Sequence, residues 1–140
     1  MVDTGVLYAA ADTRDGDHQA SRDLFETHAA NDLVVPGPVI TEAAWLISTR
    51  LGAAAETAFV ASVAAGELRA AELTSADYRR CSELLAADED LTLGLVDASV
   101  VAIAERLGLT TIATLNHRDF RVVRPTHVES FELVPLRSGR

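Results

Sequence analysis

Hydrophobic positions along the chain alternate between short β-branched runs and longer stretches with helical spacing. Short strands are predicted to end near Asp3 and to cover Leu33–Val35, Leu68–Leu73, Thr110–Thr114 and Ser130–Val134. The predicted helices are Gly5–Ala11, His18–Ala29, Pro38–Leu51, an alanine-rich segment through Phe59 and Val63 to Gly66, a segment starting at Thr74–Asp77 that bears Cys81, and a segment from Val96 to Leu107.

Local signals support several of these boundaries. Pro38 is well placed in the first turn of a helix, and Thr74–Asp77 resembles a capping box. Gly108 stands where a glycine commonly ends a helix. Residues 116–119 are predicted to form a turn, and Ala87–Thr92 an acidic loop.

Strands that alternate with helices predict an α/β fold, with a short, mostly parallel central sheet flanked by helices in three layers. A length of 140 residues suits one domain, here residues 1–135, followed by a frayed tail at 136–140. In such sheets, binding sites form at the carboxyl ends of the strands. We therefore expect Asp3 and Asn116 to lie at the same edge.

The charge and composition exclude several functions. The formal net charge is -9, and all 12 basic residues are arginines. A P-loop needs a lysine on its phosphates, and haloacid-dehalogenase-like phosphatases and receiver domains also rely on one. Net acidity argues against a protein that coats DNA broadly, because phosphate neutralisation supplies most non-specific affinity. It does not exclude an enzyme that meets RNA through bound cations and a local arginine patch.

Nothing in the sequence predicts a membrane or secreted protein. No apolar stretch is long enough to span a bilayer, and the N-terminus has no basic region ahead of an apolar core. Cys81, the single cysteine, cannot form an internal disulfide. A cytoplasmic location is therefore expected.

Four acidic residues stand out by their positions: Asp3, Glu42, Asp97 and Asp119. A parallel sheet could bring all four to one end. Each also has a structural explanation, since Asp3 and Asp97 could cap helices and Asp119 could be a surface turn residue. Glu42 is harder to explain structurally, because a carboxylate beside an apolar helix face is costly unless it is paired or bound to a cation.

Converging carboxylates would suit a hard divalent cation. Their mutual repulsion keeps some of them protonated unless cations neutralise them. Mg²⁺ prefers oxygen ligands and keeps several waters, so a few carboxylates and a substrate phosphate hold it. One or two such ions can activate water in phosphodiester cleavage.

Four segments resemble, in order, the motifs of the PIN-domain family. Residues 2–7 resemble its opening D-T-x-x-L motif, and residues 39–42 the segment that carries its glutamate. Residues 96–104 resemble its D-A-x-x-x-A-x-A helix, and residues 113–120 its T-x-N-x-x-D-F segment. The size and the closing segment most resemble the VapC toxins of bacterial toxin–antitoxin pairs.

This resemblance implies a single PIN domain that acts as a Mg²⁺- or Mn²⁺-dependent endoribonuclease, a phosphodiester hydrolase that cleaves structured RNA such as tRNA or rRNA and inhibits translation. It also implies a homodimer and a heterocomplex with a VapB-type antitoxin. The implied metal-binding and catalytic residues are Asp3, Glu42, Asp97 and Asp119, with Thr4, Thr114, Asn116 and Arg118 supporting the site or contacting substrate phosphate.

The sequence departs from the family pattern in two places. Asn116 stands where an aspartate is frequent, so either Asp119 is the fourth carboxylate or only three function. Only two residues precede Asp3, which makes the first strand unusually short.

Some interpretations stay open. Arg118, Arg121 and Arg124 form the densest basic stretch, which is either a phosphate-contacting rim or a solvated turn. The histidines, which lack metal-ligand spacing, are expected at the surface, and Trp45 in the core. The alternative functions are a PIN-fold protein-interaction module without catalysis, or a metal-dependent nuclease that acts on another nucleic acid.

Overall fold

The β-strands in the described part of the chain are three residues long and run parallel in two pairs. The computed structural model describes residues 1–87 and 93–135. Strand β1 (Val34–Pro36) pairs with β2 (Arg69–Ala71), and β3 (Thr111–Ala113) pairs with β4 (Glu132–Val134). Every described strand pairing is parallel, as the alternation of strands and helices predicts.

Residues 1–3 join the two strand pairs. Val2 forms an isolated parallel bridge with Ala113, and its amide donates a 2.9 Å hydrogen bond to the carbonyl of Val34. The amide of Asp3 donates to the carbonyl of Ala113 at 2.9 Å. The predicted first strand is therefore reduced to this bridge, and Asp3 follows it at the carboxyl edge of the sheet.

The helices follow the predicted order. The predicted turn at residues 116–119 is wrong, because the Asn116 side chain accepts a hydrogen bond from the Asp119 amide and starts a short helix. The described helices are α1 (Thr4–Ala11), α2 (His18–Thr27), α3 (Gly37–Leu51), α4 (Ala53–Ala64), α5 (Ser75–Ala87), α6 (Leu95–Leu107) and α7 (His117–Val122), with a 3-10 turn at Ala30–Asp32.

Helix α6 is the centre of the hydrophobic core. Every residue from 98 to 104 is buried, and α6 packs against both α5 and α3. Cys81 of α5 is buried in this core. On α3 the buried positions are Val39, Ala43 and Ile47, which recur every four residues on one face. Trp45 lies off that face and is 64% exposed, so its predicted core position is wrong.

Two predicted helix ends are confirmed. The Thr74 amide donates to the Asp77 carboxylate at 2.9 Å, and the Asp77 amide donates to the Thr74 hydroxyl at 3.1 Å, which is a reciprocal capping box. Gly108 adopts the left-handed conformation at the end of α6, with φ of 67°.

Two predicted segments lie outside the described residues: 88–92 of the acidic loop, and the tail at 136–140. Among the helices of residues 1–87 and 93–135, none is both long enough and apolar enough to cross a bilayer.

Candidate active site

Asp3 is a buried carboxylate held by two hydrogen bonds. Its Oδ1 accepts from the amide of Thr4 at 2.8 Å, which caps α1, and its Oδ2 accepts from the Thr114 hydroxyl at 2.8 Å. Burial raises the pKa of Asp3; these two hydrogen bonds lower it, and Glu42 raises it. The helix-capping role proposed for Asp3 is thus real, and it places the carboxylate beside another acid.

Glu42 approaches the same edge from α3. Its Oε2 accepts a hydrogen bond from the Thr4 hydroxyl at 2.5 Å, so Thr4 links the start of α1 to the second turn of α3. The Glu42 side chain lies on the exposed side of the helix and contributes to the raised pKa of Asp3. The sequence placed Glu42 beside an apolar face, but the structure places it at the margin of the acidic cluster.

Asp119 joins the site through a chain of hydrogen bonds. The Thr114 hydroxyl, which donates to Asp3, accepts from the Asn116 amide at 2.9 Å. The side-chain amide of Asn116 then donates to Oδ2 of Asp119 at 3.0 Å. Asn116 therefore orients Asp119, and the first turn of α7 is tied to the edge that holds Asp3.

Asp97 lies in the first turn of α6, where the other acids surround it. Burial raises the pKa of Asp97 to about 6, helped by the nearby charges of Asp3, Glu42 and Asp119 and opposed by a hydrogen bond from the Gly94 amide. The helix itself is capped by Gly94, so Asp97 is not its N-cap. Asp3, Glu42 and Asp119 thus all lie near enough to Asp97 to raise its pKa.

The four acids form an oxygen-only donor set. Within residues 1–87 and 93–135, no three of the His, Cys, Asp and Glu side chains are arranged to hold a metal ion by themselves. Mg²⁺ does not require such a cage, because it retains waters and binds through one or two carboxylates together with substrate phosphate. The repulsion that raises the pKa of Asp97 is also what a divalent cation would relieve. The residues present therefore fit a hard divalent cation.

The basic residues and histidines differ in their surroundings. Arg118 is exposed and precedes Asp119 on α7, while Arg124 donates to the Arg121 carbonyl at 3.3 Å. The expectation that the histidines lie at the surface is wrong for His117, which is 8% exposed and has a buried Nε2 without a hydrogen-bond partner among the described residues. It packs inward because it occupies the first position of α7, beside buried Phe120.

One buried polar group was missed by the sequence analysis. The Tyr8 hydroxyl donates to Oδ2 of Asp12 at 2.8 Å, and the Arg50 guanidinium lies 5.1 Å from the Tyr8 ring centre. The hydrogen bond to Asp12 raises the pKa of Tyr8. Burial raises it further by a smaller amount, and Arg50 lowers it. The spacing of Tyr8 and Asp12, four residues apart on α1, was the available signal. This contact fixes α1 against α3 at the end away from Thr4.

A large cavity lies elsewhere in the described part of the chain. It has a volume of about 960 Å³ between α2 and α4, and none of the four acids lines it. Its walls are mainly apolar around Leu7, Phe25, Leu33 and Phe59. Glu42 is exposed and Asp97 and Asp119 are partly exposed, so the acidic cluster lies at an open edge and apart from this cavity.

A short parallel sheet flanked by helices, with acids converging at its carboxyl edge, defines the PIN domain class, and the chain belongs to the PIN domain family. The family model matches residues 1–124. Among curated proteins, the chain is similar to Ribonuclease VapC26 of Mycobacterium tuberculosis, with 31% identity over 135 residues that cover 96% of this chain and 99% of the relative. Among solved structures, it is similar in fold to the sarcin-ricin loop cleaving toxin VapC20 of Mycobacterium tuberculosis, with a TM-score of 0.73, 22% identity, and coverage of 79% of this chain and 85% of that one.

Proposed function

We propose that this protein is a Mg²⁺-dependent endoribonuclease that cleaves structured RNA, either tRNA or rRNA. We further propose that it is the toxin of a VapBC-like toxin–antitoxin pair and that it inhibits translation in the cytoplasm. The observation that carries the proposal is the coupling of Asp97 to Asp3, Glu42 and Asp119 at one edge of the sheet. The similarity to Ribonuclease VapC26 over nearly the whole chain supports ribonuclease chemistry at that edge.

Asp3, Glu42, Asp97 and Asp119 would hold the cation. When bound, Mg²⁺ or Mn²⁺ supplies a more acidic water and a counter-charge for the phosphodiester. Asp3 is the most firmly placed of the four, since two hydrogen bonds fix both of its oxygens. Asp97 is the acid whose charge depends most on a cation, because its pKa is raised to about 6.

Three neutral side chains support the acids. Thr4 donates to Glu42, Thr114 donates to Asp3, and Asn116 donates to Asp119. Each hydrogen bond leaves its carboxylate with further lone pairs for a cation or a water. Exposed Arg118 stands next to Asp119 on α7 and is our candidate for contact with substrate phosphate.

The partners we propose are a VapB-type antitoxin and a second copy of the chain. The cavity between α2 and α4 is lined by apolar side chains such as Leu7, Phe25 and Phe59 together with the exposed charged residues Arg22 and Glu26. Such a groove suits the apolar face of a short helix, and we assign the antitoxin contact to it. A Phe59→Arg variant should remain able to cleave RNA but lose neutralisation by the antitoxin.

The decisive experiment compares Asp97→Asn with the matched surface variant Asp32→Asn. Asp97→Asn should reduce RNA cleavage by about 100-fold or more with the circular dichroism spectrum unchanged, whereas Asp32→Asn should cleave like the wild type. EDTA should abolish cleavage, and Mg²⁺ or Mn²⁺ should restore it. Full cleavage by Asp97→Asn would refute the proposal. Mapping of 5′ ends in total RNA after brief induction would then identify the RNA that is cut.

The alternative is a PIN-fold protein-interaction module without catalysis. The apolar cavity, remote from the acids, is the observation that favours it. A Mn²⁺ titration separates the two functions: a nuclease should show a saturable site that Asp3→Ala removes, and a simple interaction module should show none.

A further inference from the structure

Trp45 is the most exposed of the large hydrophobic side chains in the described residues. It is 64% exposed and lies on α3, three residues after Glu42. Residues three apart on a helix have Cβ atoms about 5–6 Å from each other. Trp45 and Glu42, one of the four proposed metal-binding acids, are therefore neighbouring positions on the exposed surface of α3.

The residues one helical turn before and after Trp45 are polar. At three and four residues on either side stand Thr41, Glu42, Ser48 and Thr49. A helix face that docks onto another protein carries apolar residues at these spacings. On α3 the tryptophan is instead flanked by three hydroxyl-bearing residues and one carboxylate, so this helix offers a protein partner no apolar stripe around the indole.

An unpaired nucleobase matches this environment better. Bases splayed out of single-stranded RNA stack on aromatic side chains, and every base has a face that can do so. The ribose hydroxyls of the same nucleotide are compatible with surrounding hydroxyl groups. When a substrate phosphate binds near Glu42, the adjacent nucleotide lies within reach of Trp45, which is one helical turn away.

We propose that Trp45 is a substrate-binding residue that stacks on an unpaired base beside the cleaved phosphate. The inference rests on the proposed ribonuclease function, which it deepens by assigning a position where the RNA must be unpaired. It predicts that a fully base-paired RNA is a poor substrate, and that loops and single-stranded junctions are preferred.

The test uses the fluorescence of Trp45, the single tryptophan of the chain. An unstructured RNA of about ten nucleotides is titrated into the full chain with Ca²⁺ in place of Mg²⁺. We expect the RNA to quench the indole emission of the wild type. By a competition assay with labelled RNA, Trp45→Ala should raise the Kd about tenfold and Trp45→Phe no more than about threefold.

Tyr78→Ala is the matched control, because Tyr78 is an aromatic residue of α5 that is 54% exposed. It should leave the Kd unchanged, and all three variants should keep the melting temperature of the wild type. A Kd for Trp45→Ala within twofold of the wild-type value would overturn the inference. A Trp45→Ala variant that loses self-association in analytical ultracentrifugation but keeps its RNA affinity would also overturn the inference, because Trp45 would then contact a second copy of the chain.

The two proposals fail in different ways. RNA cleavage at the wild-type rate by a Trp45→Ala variant with unchanged Kd would leave the ribonuclease function standing and remove the stacking role. Quenching of the wild-type indole and a raised Kd for Trp45→Ala, with no RNA cleavage by the wild type in Mg²⁺ or Mn²⁺, would remove the nuclease function and leave the stacking contact.

Discussion

The side-chain amide of Asn116 donates a 3.0 Å hydrogen bond to Oδ2 of Asp119. An ionised aspartate at position 116 has no proton to donate, so it would replace this attraction with repulsion between two carboxylates. Asn116 and Asp119 are therefore complementary. The structure therefore supports a single carboxylate at the start of α7, that of Asp119, held by the side-chain amide of Asn116.

Asn116→Asp is expected to destabilise the metal-free protein by about 1–2 kcal/mol, because it removes the hydrogen bond and adds a fifth acid. Mn²⁺ should recover part of that loss. Urea denaturation in EDTA and in Mn²⁺ measures both effects. Equal stability of variant and wild type in EDTA would show that the Asn116–Asp119 contact does not matter.

Thr114→Val should weaken both the fold and the site. The hydroxyl that it removes donates to buried Asp3 and accepts from the Asn116 amide, so two polar groups lose a partner. A cost of about 1–3 kcal/mol is expected, together with a higher Kd for Mn²⁺. Thr114→Ser is the control, since it retains the hydroxyl and should behave much more like the wild type. Urea denaturation and Mn²⁺ titration provide the two measurements.

The stability of the metal-free protein should fall as the pH rises through the range in which Asp97 ionises. Folding raises its pKa from 3.8 to about 6, so the native protein holds a proton that the unfolded chain releases. The contribution of Asp97 to the free energy of unfolding is thus largest below about pH 4 and falls by about 1–2 kcal/mol as the pH rises through 6, because solvent screens the partly exposed carboxylate. Asp97→Asn should remove this dependence, as measured by urea denaturation at several pH values in EDTA; an unchanged slope would contradict the assignment.

Cation binding should show the opposite dependence on pH. A proton on Asp97 competes with the metal, so the apparent affinity for Mn²⁺ should fall as the pH drops below about 6. Isothermal titration calorimetry at pH 5 and pH 7 measures this difference and the protons released. A Kd that stays constant between the two values would exclude Asp97 as a ligand.

Asp77→Ala should destabilise the protein without affecting the chemistry of the acidic edge. The Asp77 carboxylate is buried, caps α5 and accepts from the Arg106 guanidinium at 3.0 Å. Arg106 is partly exposed, so solvent screens the ion pair, and the total loss should be about 1–3 kcal/mol. Thermal unfolding measures the loss, and RNA cleavage at a temperature well below the transition should remain at the wild-type rate.

Local signals in the sequence identified most of the fold. Thr74–Asp77 and Gly108 mark helix ends through contacts between residues close in the chain, so pattern alone predicts them. The same approach failed at Asn116, because a side chain that caps a helix also commonly starts a turn. It failed at Trp45 because α3 turns its Val39 face, and not its tryptophan, towards the core.

The positions of the candidate site residues could also be predicted, but not their mutual effects. Asp3 and Asp97 come from distant parts of the chain, and the raised pKa of Asp97 depends on burial and on charges that only the fold brings near. The role of Asn116 as a donor to Asp119 likewise needed side-chain geometry. These are long-range properties that no local pattern contains.

The bridge between Val2 and Ala113 also has a consequence for biosynthesis. Asp3 receives its hydrogen bond from Thr114, which is 111 positions further along the chain. A nascent chain on the ribosome therefore cannot complete the acidic edge until Thr114 has emerged from the exit tunnel. The proposed ribonuclease would thus stay inactive until the segments that carry Asp97 and Thr114 have been made and have folded back onto Asp3.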